Sequence, residues 1–249
     1  MGSVGFYGRV WEGLLAFFYP PVCQICGLNR AAAGDGYVCL GCVSKPGALR
    51  FIDACYCSQC GIPYEGAVKG QFECSNCAGL DLGFDWARSA LVATPFVLDL
   101  IRRYKYHGAT WLEPLLRRWL VRMASVELQG KEWDWIVPVP LHEVRLRERG
   151  YNQAERLATG LSAVTGITLN NRLLRRVKAT QTQTVLNRRE RMQNMAAAFR
   201  ILPGVGIVGK RVLIVDDVLT TGATTSGCAK ALRRAGVRSV GVWTLARGQ

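Results

Sequence analysis

Leu213-Ile214-Val215-Asp216-Asp217-Val218-Leu219-Thr220-Thr221-Gly222-Ala223-Thr224-Thr225 is the stretch on which the fold turns. A hydrophobic strand over Lys210–Val215 delivers two adjacent carboxylates to its carboxyl end, where open α/β sheets bind ligands. A turn rich in threonine and glycine follows, and a helix is predicted over Thr224–Ala235. Backbone N–H groups at that helix start, with the hydroxyls of Thr220, Thr221, Thr224 and Thr225, suit a phosphate group. Gly222, followed by the small Ala223, lets the backbone approach it closely. Asp216 and Asp217 suit vicinal ribose hydroxyls and a magnesium shell. A plain strand-to-helix turn accounts for one capping threonine, but not for two acids and four threonines together. No Gly-Lys-Thr follows, so this is not the phosphate loop of the ATPases.

Outward from this loop the chain alternates strands and helices. Strand character at Ser89–Thr94 leads to a helix from Pro95 to about Tyr106, ended by Gly108. A helix over Leu112–Ser125, a buried strand over Trp133–Val139 and a helix over Tyr151–Val164 follow. A last strand covers Val237–Thr244. The pattern predicts an α/β fold, an open and mainly parallel sheet with helices on both faces. Arg172–Arg191 fits neither periodicity. It holds seven basic residues and one acidic, and reads as a long mobile loop with room for a hairpin. Loops of that length in compact domains are usually functional.

Eight cysteines form four C-x-x-C pairs: Cys23/Cys26, Cys39/Cys42, Cys57/Cys60 and Cys74/Cys77. Each pair can present two thiolates to one tetrahedral ion, and the spacings suit two zinc ribbons in tandem. Complete four-thiolate sites leave no open position, so the expected zincs are structural. A disulfide framework would need an oxidising compartment, and no export signal precedes it. Sequential pairing is the expected arrangement, with a crossed one still open. Cys55 is a spare or alternative ligand. Cys228 is expected to be a small buried residue.

Charge divides the chain. Residues 1–84 hold five basic and six acidic residues; residues 85–249 hold 27 and 12, against a total net charge of +14. A neutral N-terminal helix and zinc-ribbon module (1–84) and a basic α/β domain (85–249) are therefore expected, with polyanion attraction on the second. The zinc module reads as a scaffold or protein-docking element. No run reaches the roughly 18–20 apolar residues that span a bilayer. The short apolar stretch Leu14–Tyr19 reads as an amphipathic helix, and the expected compartment is the cytoplasm.

The strand, acid pair and threonine loop resemble the signature of the type I phosphoribosyltransferases. Further motifs resemble the ComF family: Val137-Pro138-Val139-Pro140-Leu141, Arg149-Gly150-Tyr151-Asn152-Gln153-Ala154, Thr180-x-x-Gln183-x-x-Leu186, and Arg191-x-x-Asn194 with Phe199. The resemblance covers essentially the whole chain, beginning at Pro21-x-Cys23-x-x-Cys26. It implies a zinc-finger segment before a phosphoribosyltransferase-like domain, in the longer form with two zincs. It implies that Asp216 and Asp217 are catalytic and that magnesium accompanies phosphoribosyl diphosphate. Pro138–Leu141 would form the pyrophosphate loop, and Arg172–Asn194 a hood that closes over the site. Arg149 and Arg191 are candidates for diphosphate contacts. Natural competence and the handling of single-stranded DNA follow as the family's role, with Arg145, Arg147, Arg175, Arg176, Lys178, Arg188 and Arg189 as candidate phosphate contacts. A DNA-uptake or recombination protein is the implied partner. Two alternatives stand beside this reading: a phosphoribosyltransferase with an unidentified acceptor, and a non-catalytic ligand sensor. His107 and His142 are expected to be structural; Asn152 and Gln153 either face the pocket or cap the next helix. Trp111, Trp119 and Tyr151 either stack bases or belong to the core.

Overall fold

A computed structural model of the chain describes residues 21–53, 55–66, 72–75, 77–128, 132–178, 195, 197–202 and 206–248. The expected Leu14–Tyr19 helix and the hood residues 179–194, Arg188, Arg189 and Arg191 among them, lie outside the described residues.

Helix α1 is a single turn, Leu40–Val43. Strand β1 (Trp86–Val92) leads into α2 (Pro95–Tyr106), where the Thr94 hydroxyl accepts the Val97 amide at 3.2 Å and Pro95 opens the first turn. Both are standard helix-start devices. Then come α3 (Glu113–Glu127), β2 (Trp135–Pro138), α4 (Glu143–Arg149), α5 (Gln153–Thr165) and β3 (Thr168–Leu169). Strands β4 (Leu174–Arg176) and β5 (Phe199–Ile201) pair antiparallel at the two ends of the basic loop. The chain closes with β6 (Arg211–Leu219), α6 (Ala223–Arg234) and β7 (Ser239–Arg247).

Five strands form one parallel sheet in the order β1-β7-β6-β2-β3. Its middle strands are apolar on both faces, as a sheet covered twice requires. Leu213, Val215, Trp243 and Leu245 face the core shared with α2, α3 and α5. Val212, Ile214, Val240 and Val242 face the core shared with α6 and the β4–β5 hairpin. From β2 the chain moves to β3 at one edge; from β6 it moves to β7 on the other side. The carboxyl ends of β2 and β6 therefore flank a topological switch point, the usual crevice for ligands in such sheets.

The cysteine groups straddle this sheet. Cys23, Cys39 and Cys42 pack in the core under α2 and α3, whereas Cys57, Cys60, Cys74 and Cys77 pack in the opposite core. The segment between them runs along the open edge of β1. Val92 N donates to Arg50 O (2.8 Å), Ile52 N to Ala90 O (3.0 Å) and Ala87 N to Gln59 O (2.8 Å). An edge strand that would otherwise present unpaired backbone is thereby covered.

Among the described residues, no helix is long and apolar enough to cross a membrane.

Candidate ribose-phosphate site and cysteine clusters

Strand β6 runs past the expected end at Val215 and carries both acids within its ladder to β7, with Asp216 opposite Thr244 and Leu219 opposite Arg247. The acids are held in regular backbone rather than in a loop. Both are buried. Asp217 N donates to Asp216 Oδ1 at 2.9 Å, and Lys105 Nζ on α2 lies 2.7 Å from Asp217 Oδ1. Burial, followed by the charge of Asp217, pushes the Asp216 carboxyl up to about 7. Burial pulls Lys105 down, but the charges of Asp217 and Asp216 outweigh it and hold the ammonium above its ordinary value. The Asp217 Oδ2 atom is buried without a hydrogen-bond partner among the described residues. A buried lone carboxylate oxygen invites a ligand, hydroxyl or cation.

The threonine loop follows directly. Gly222 caps α6 with a φ of 79°, a conformation that a side chain would strain. Thr221 Oγ1 accepts the Ala223 amide at 3.4 Å. Thr225 is buried, and its hydroxyl donates to Gly222 O at 3.1 Å, so it shapes the loop from inside. Thr220 is exposed, and Thr221 and Thr224 are half-buried. These three remain accessible to a phosphate.

The predicted pyrophosphate loop lies beside this one. Val139 N donates to Val215 O at 2.9 Å, which ties the end of β2 to β6. Asn152 does two jobs: its Oδ1 accepts the Ala154 amide that begins α5, and its Nδ2 donates to Val139 O, both at 3.1 Å. Asn152 thus caps the helix and holds the Pro138-Val139-Pro140-Leu141 loop. Gln153 is buried and accepts a bond from Arg149 Nη1, while the Arg149 guanidinium sits 5.1 Å from the Tyr106 ring centroid. His142 Nδ1 accepts the Val144 amide at 3.4 Å and caps α4, and exposed His107 ends α2.

The basic candidates separate into two kinds. Arg145, Arg147 and Lys178 are exposed, and exposed Arg175 reaches from β4 to Glu143 on α4. Arg176, in contrast, is half-buried, and burial draws its guanidinium below the ordinary value. Asp216 is among the charges that it senses. Trp119 lies in the core, whereas Trp111 and Tyr151 are half-buried. Cys228 is fully buried, as expected.

Cys23, Cys26, Cys39 and Cys42 bring their sulfurs together, as do Cys57, Cys60, Cys74 and Cys77, so the pairing is sequential. Sulfur–sulfur distances are 3.8 Å for Cys23–Cys42 and Cys26–Cys39, 3.7 Å for Cys60–Cys74 and 3.6 Å for Cys74–Cys77. A zinc tetrahedron with bonds of about 2.3 Å has edges of about 3.8 Å, so both clusters fit structural zinc. None of the ten cysteines forms a disulfide. Backbone amides complete the donor shells: Cys39 N donates to Cys23 Sγ and Cys74 N to Cys57 Sγ, both at 3.3 Å. Despite burial, such bonds bring the Cys23 thiol down to about 6 and that of Cys57 to about 7. Exposed Cys55 belongs to neither group. Purified protein is expected to carry two zinc ions per chain by emission spectrometry, unchanged in Cys55→Ser. A single ion, or a loss in that variant, would refute the assignment.

Sheet order, acid pair and threonine loop define a phosphoribosyltransferase-type α/β protein clamped by two four-cysteine clusters. Residues 146–249 match the phosphoribosyl transferase domain family. Competence protein F of Haemophilus influenzae is 34% identical over 232 residues, 90% of this chain and 96% of its own. DNA utilization protein YhgH of Escherichia coli is 33% identical over 92% of this chain and 97% of its own. Competence protein ComFC of Streptococcus pneumoniae is 31% identical over 80% and 90%. The chain belongs to the ComF family of competence and DNA utilization proteins.

Two cations in contact with the acid pair or the threonine loop escaped the sequence reading. Lys105 lies on an amphipathic helix otherwise explained by its apolar face. Arg247 ends the last strand and carries no motif. Their contacts mark them: Lys105 pairs with Asp217, and Arg247 donates to Leu219 O and Thr220 O.

Proposed function

We propose that the protein binds phosphoribosyl diphosphate or a related ribose phosphate at the β2–β6 crevice and acts in the uptake or use of single-stranded DNA. The observation that carries this reading is the buried acid pair next to an open threonine loop at the switch point. Thr220, Thr221 and Thr224, with amides of the loop, would hold the ribose 5-phosphate. Asp216 and Asp217 would take the ribose hydroxyls, and the Pro138–Leu141 loop with Arg149 the diphosphate. The free Asp217 Oδ2 fits a magnesium shell, and magnesium would supply neutralising charge to the diphosphate. Arg191 would complete the grip from the hood. The names of the relatives, and exposed Arg145 and Arg147 on α4 beside the crevice, support the DNA role; exposed Lys178 and Arg175 add to that basic surface, and Arg188 and Arg189 would join them as phosphate contacts. A cytoplasmic DNA-processing protein is the partner that suits this role.

A second reading, transfer of the phosphoribosyl group, is favoured by one cavity. About 310 Å³ opens beside Lys105, lined by Tyr106, Arg145, Arg149 and Tyr151. An aromatic acceptor would fit between the two tyrosines. Its nitrogen would bond to ribose C1 as the C1–O bond to diphosphate breaks, with the acid pair beneath the cationic ring. Pyrophosphate release in an acceptor screen separates this from binding alone.

The test of the first reading is titration of the zinc-loaded protein with phosphoribosyl diphosphate and magnesium, and separately with single-stranded DNA across a salt series. Saturable ligand binding is expected. The log–log salt slope for DNA should fall by about 1.4 in Arg145→Ala/Arg147→Ala, at ~0.7 per lost phosphate contact. No heat with the ligand, or no DNA binding at low salt, would sink the corresponding half.

A further inference from the structure

Arg247 joins the second cysteine cluster to the phosphate loop. It is buried at the end of β7. On one side its Nη2 lies 3.3 Å from Cys60 Sγ, and its Nε donates to Cys60 O at 3.0 Å. On the other its Nη1 donates to Leu219 O at 3.0 Å and Thr220 O at 2.8 Å, and also to Gly248 O. One guanidinium thus spans a zinc-ligand residue and the two residues that begin the threonine loop. Among the described residues no carboxylate forms an ion pair with it. A four-thiolate zinc site carries about −2 formally, and that cluster is the counter-charge within reach. An arginine buried here without it would stand as an uncompensated charge.

The knuckle that holds Cys60 has little freedom. A Cβ on Gly61 would meet Ala87 O at 2.6 Å, so the turn after Cys60 lies flat on β1. Arg88 Nη1 donates to Ser58 O at 2.9 Å, and Leu82 and Phe84 line the narrow cleft between knuckle and loop. The first cluster sits in the other core and makes no such link among the described residues.

We infer that Arg247 is a positioning residue through which zinc at the Cys57/Cys60/Cys74/Cys77 site sets the shape of the ribose-phosphate loop. Metal occupancy of this cluster, and not of the first, then controls ligand binding at Thr220–Thr225. Loss of the ion would leave Arg247 without its counter-charge and loosen the loop, so the site couples zinc supply to ligand capture. The ligand half of the inference rests on the function proposed above, whereas the coupling of zinc to loop does not.

The experiment is amide hydrogen exchange on the full-length protein, with zinc content measured on the same samples. Arg247→Gln should retain two zincs per chain, yet exchange at Leu219–Thr225 about 10-fold faster or more, a local opening rather than global unfolding. Arg247→Lys should recover part of the protection, since an ammonium keeps the charge but loses the planar fork. Cys77→Ser, which empties the second site, should loosen the same amides. Cys26→Ser, which empties the first, should leave them at the wild-type rate. Adding zinc-site loss to Arg247→Gln should change the loop little further. Wild-type exchange in Arg247→Gln overturns the inference, and so does equal loosening by Cys26→Ser and Cys77→Ser. If Cys77→Ser fails to fold, the two Arg247 variants decide. Phosphoribosyl diphosphate titrations then read the consequence: a weaker ligand in Arg247→Gln supports the coupling. No binding by the wild type would refute the ligand assignment alone, and the exchange rates would still decide whether Arg247 couples zinc to the loop.

Discussion

Asp216→Asn is expected to raise the melting temperature of the protein by several degrees at pH 8 while weakening the proposed binding of phosphoribosyl diphosphate at least tenfold. The residue is 8% exposed and sits against a second buried acid. Burial and that neighbour push its carboxyl from 3.8 up to about 7. The folded protein therefore holds the proton at pH values where the unfolded chain has released it. Stability from this group is full below the unfolded value of 3.8 and is lost as pH rises to about 7. Above that range the wild type bears the whole cost of an ionised Asp216, on the order of a few kcal/mol. Asparagine never bears it, and its side-chain oxygen can still accept the Asp217 amide. The gain should thus be full at pH 8 and shrink toward pH 4, as thermal scans of zinc-loaded protein would show. For a chain of this size each kcal/mol moves the melting point by about 2–4 °C. A variant no more stable than the wild type at pH 8 would refute this. The trade is the expected one where a strained charge is kept for a ligand.

The two acids were legible because chemistry and periodicity coincide there: an apolar run must be a buried strand, and nothing structural calls for carboxylates at its end. The two four-cysteine groups were legible for a similar reason, since thiol spacing encodes a turn and a tetrahedron. Helix α4, Glu143–Arg149, was not foreseen. It buries none of its residues, so no apolar stripe announces it; only His142 and Gly150 at its ends do. Strand β4 pairs antiparallel with β5, which lies beyond the expected end of the basic loop at Arg191; the hairpin expected within Arg172–Arg191 falls largely outside the described residues. The sequence placed a boundary at residues 84/85. Yet Cys23 and Cys57 lie in opposite cores of one sheet, because β1 has an edge to cover and the cysteine segment is wrapped around it. Lys105 and Arg247 were invisible for a deeper reason. Arg247 meets Cys60 across 187 residues of sequence, and such pairs exist only once the sheet has formed.

Lys105→Met should act in the opposite direction to Asp216→Asn and cost about 3–5 kcal/mol at neutral pH, the usual penalty for removing one partner of a buried ion pair. Lys105 Nζ lies 2.7 Å from Asp217 Oδ1, and the other oxygen of that carboxylate has no partner among the described residues. Without the ammonium, Asp217 is a buried charge facing a second acid. Methionine keeps most of the length of the lysine stem, so the loss reads charge more than packing. Adding Asp217→Asn to Lys105→Met should recover most of the stability, because the charge needing a partner is gone. Denaturant unfolding of the four proteins in that cycle measures the coupling directly. Equal stability of Lys105→Met and wild type would show that the pair is worth nothing and that the acids are not strained. One further outcome links the pair to function. If the acid pair takes magnesium, the ion should stabilise Lys105→Met more than the wild type, since it would then supply the cation that the fold has lost.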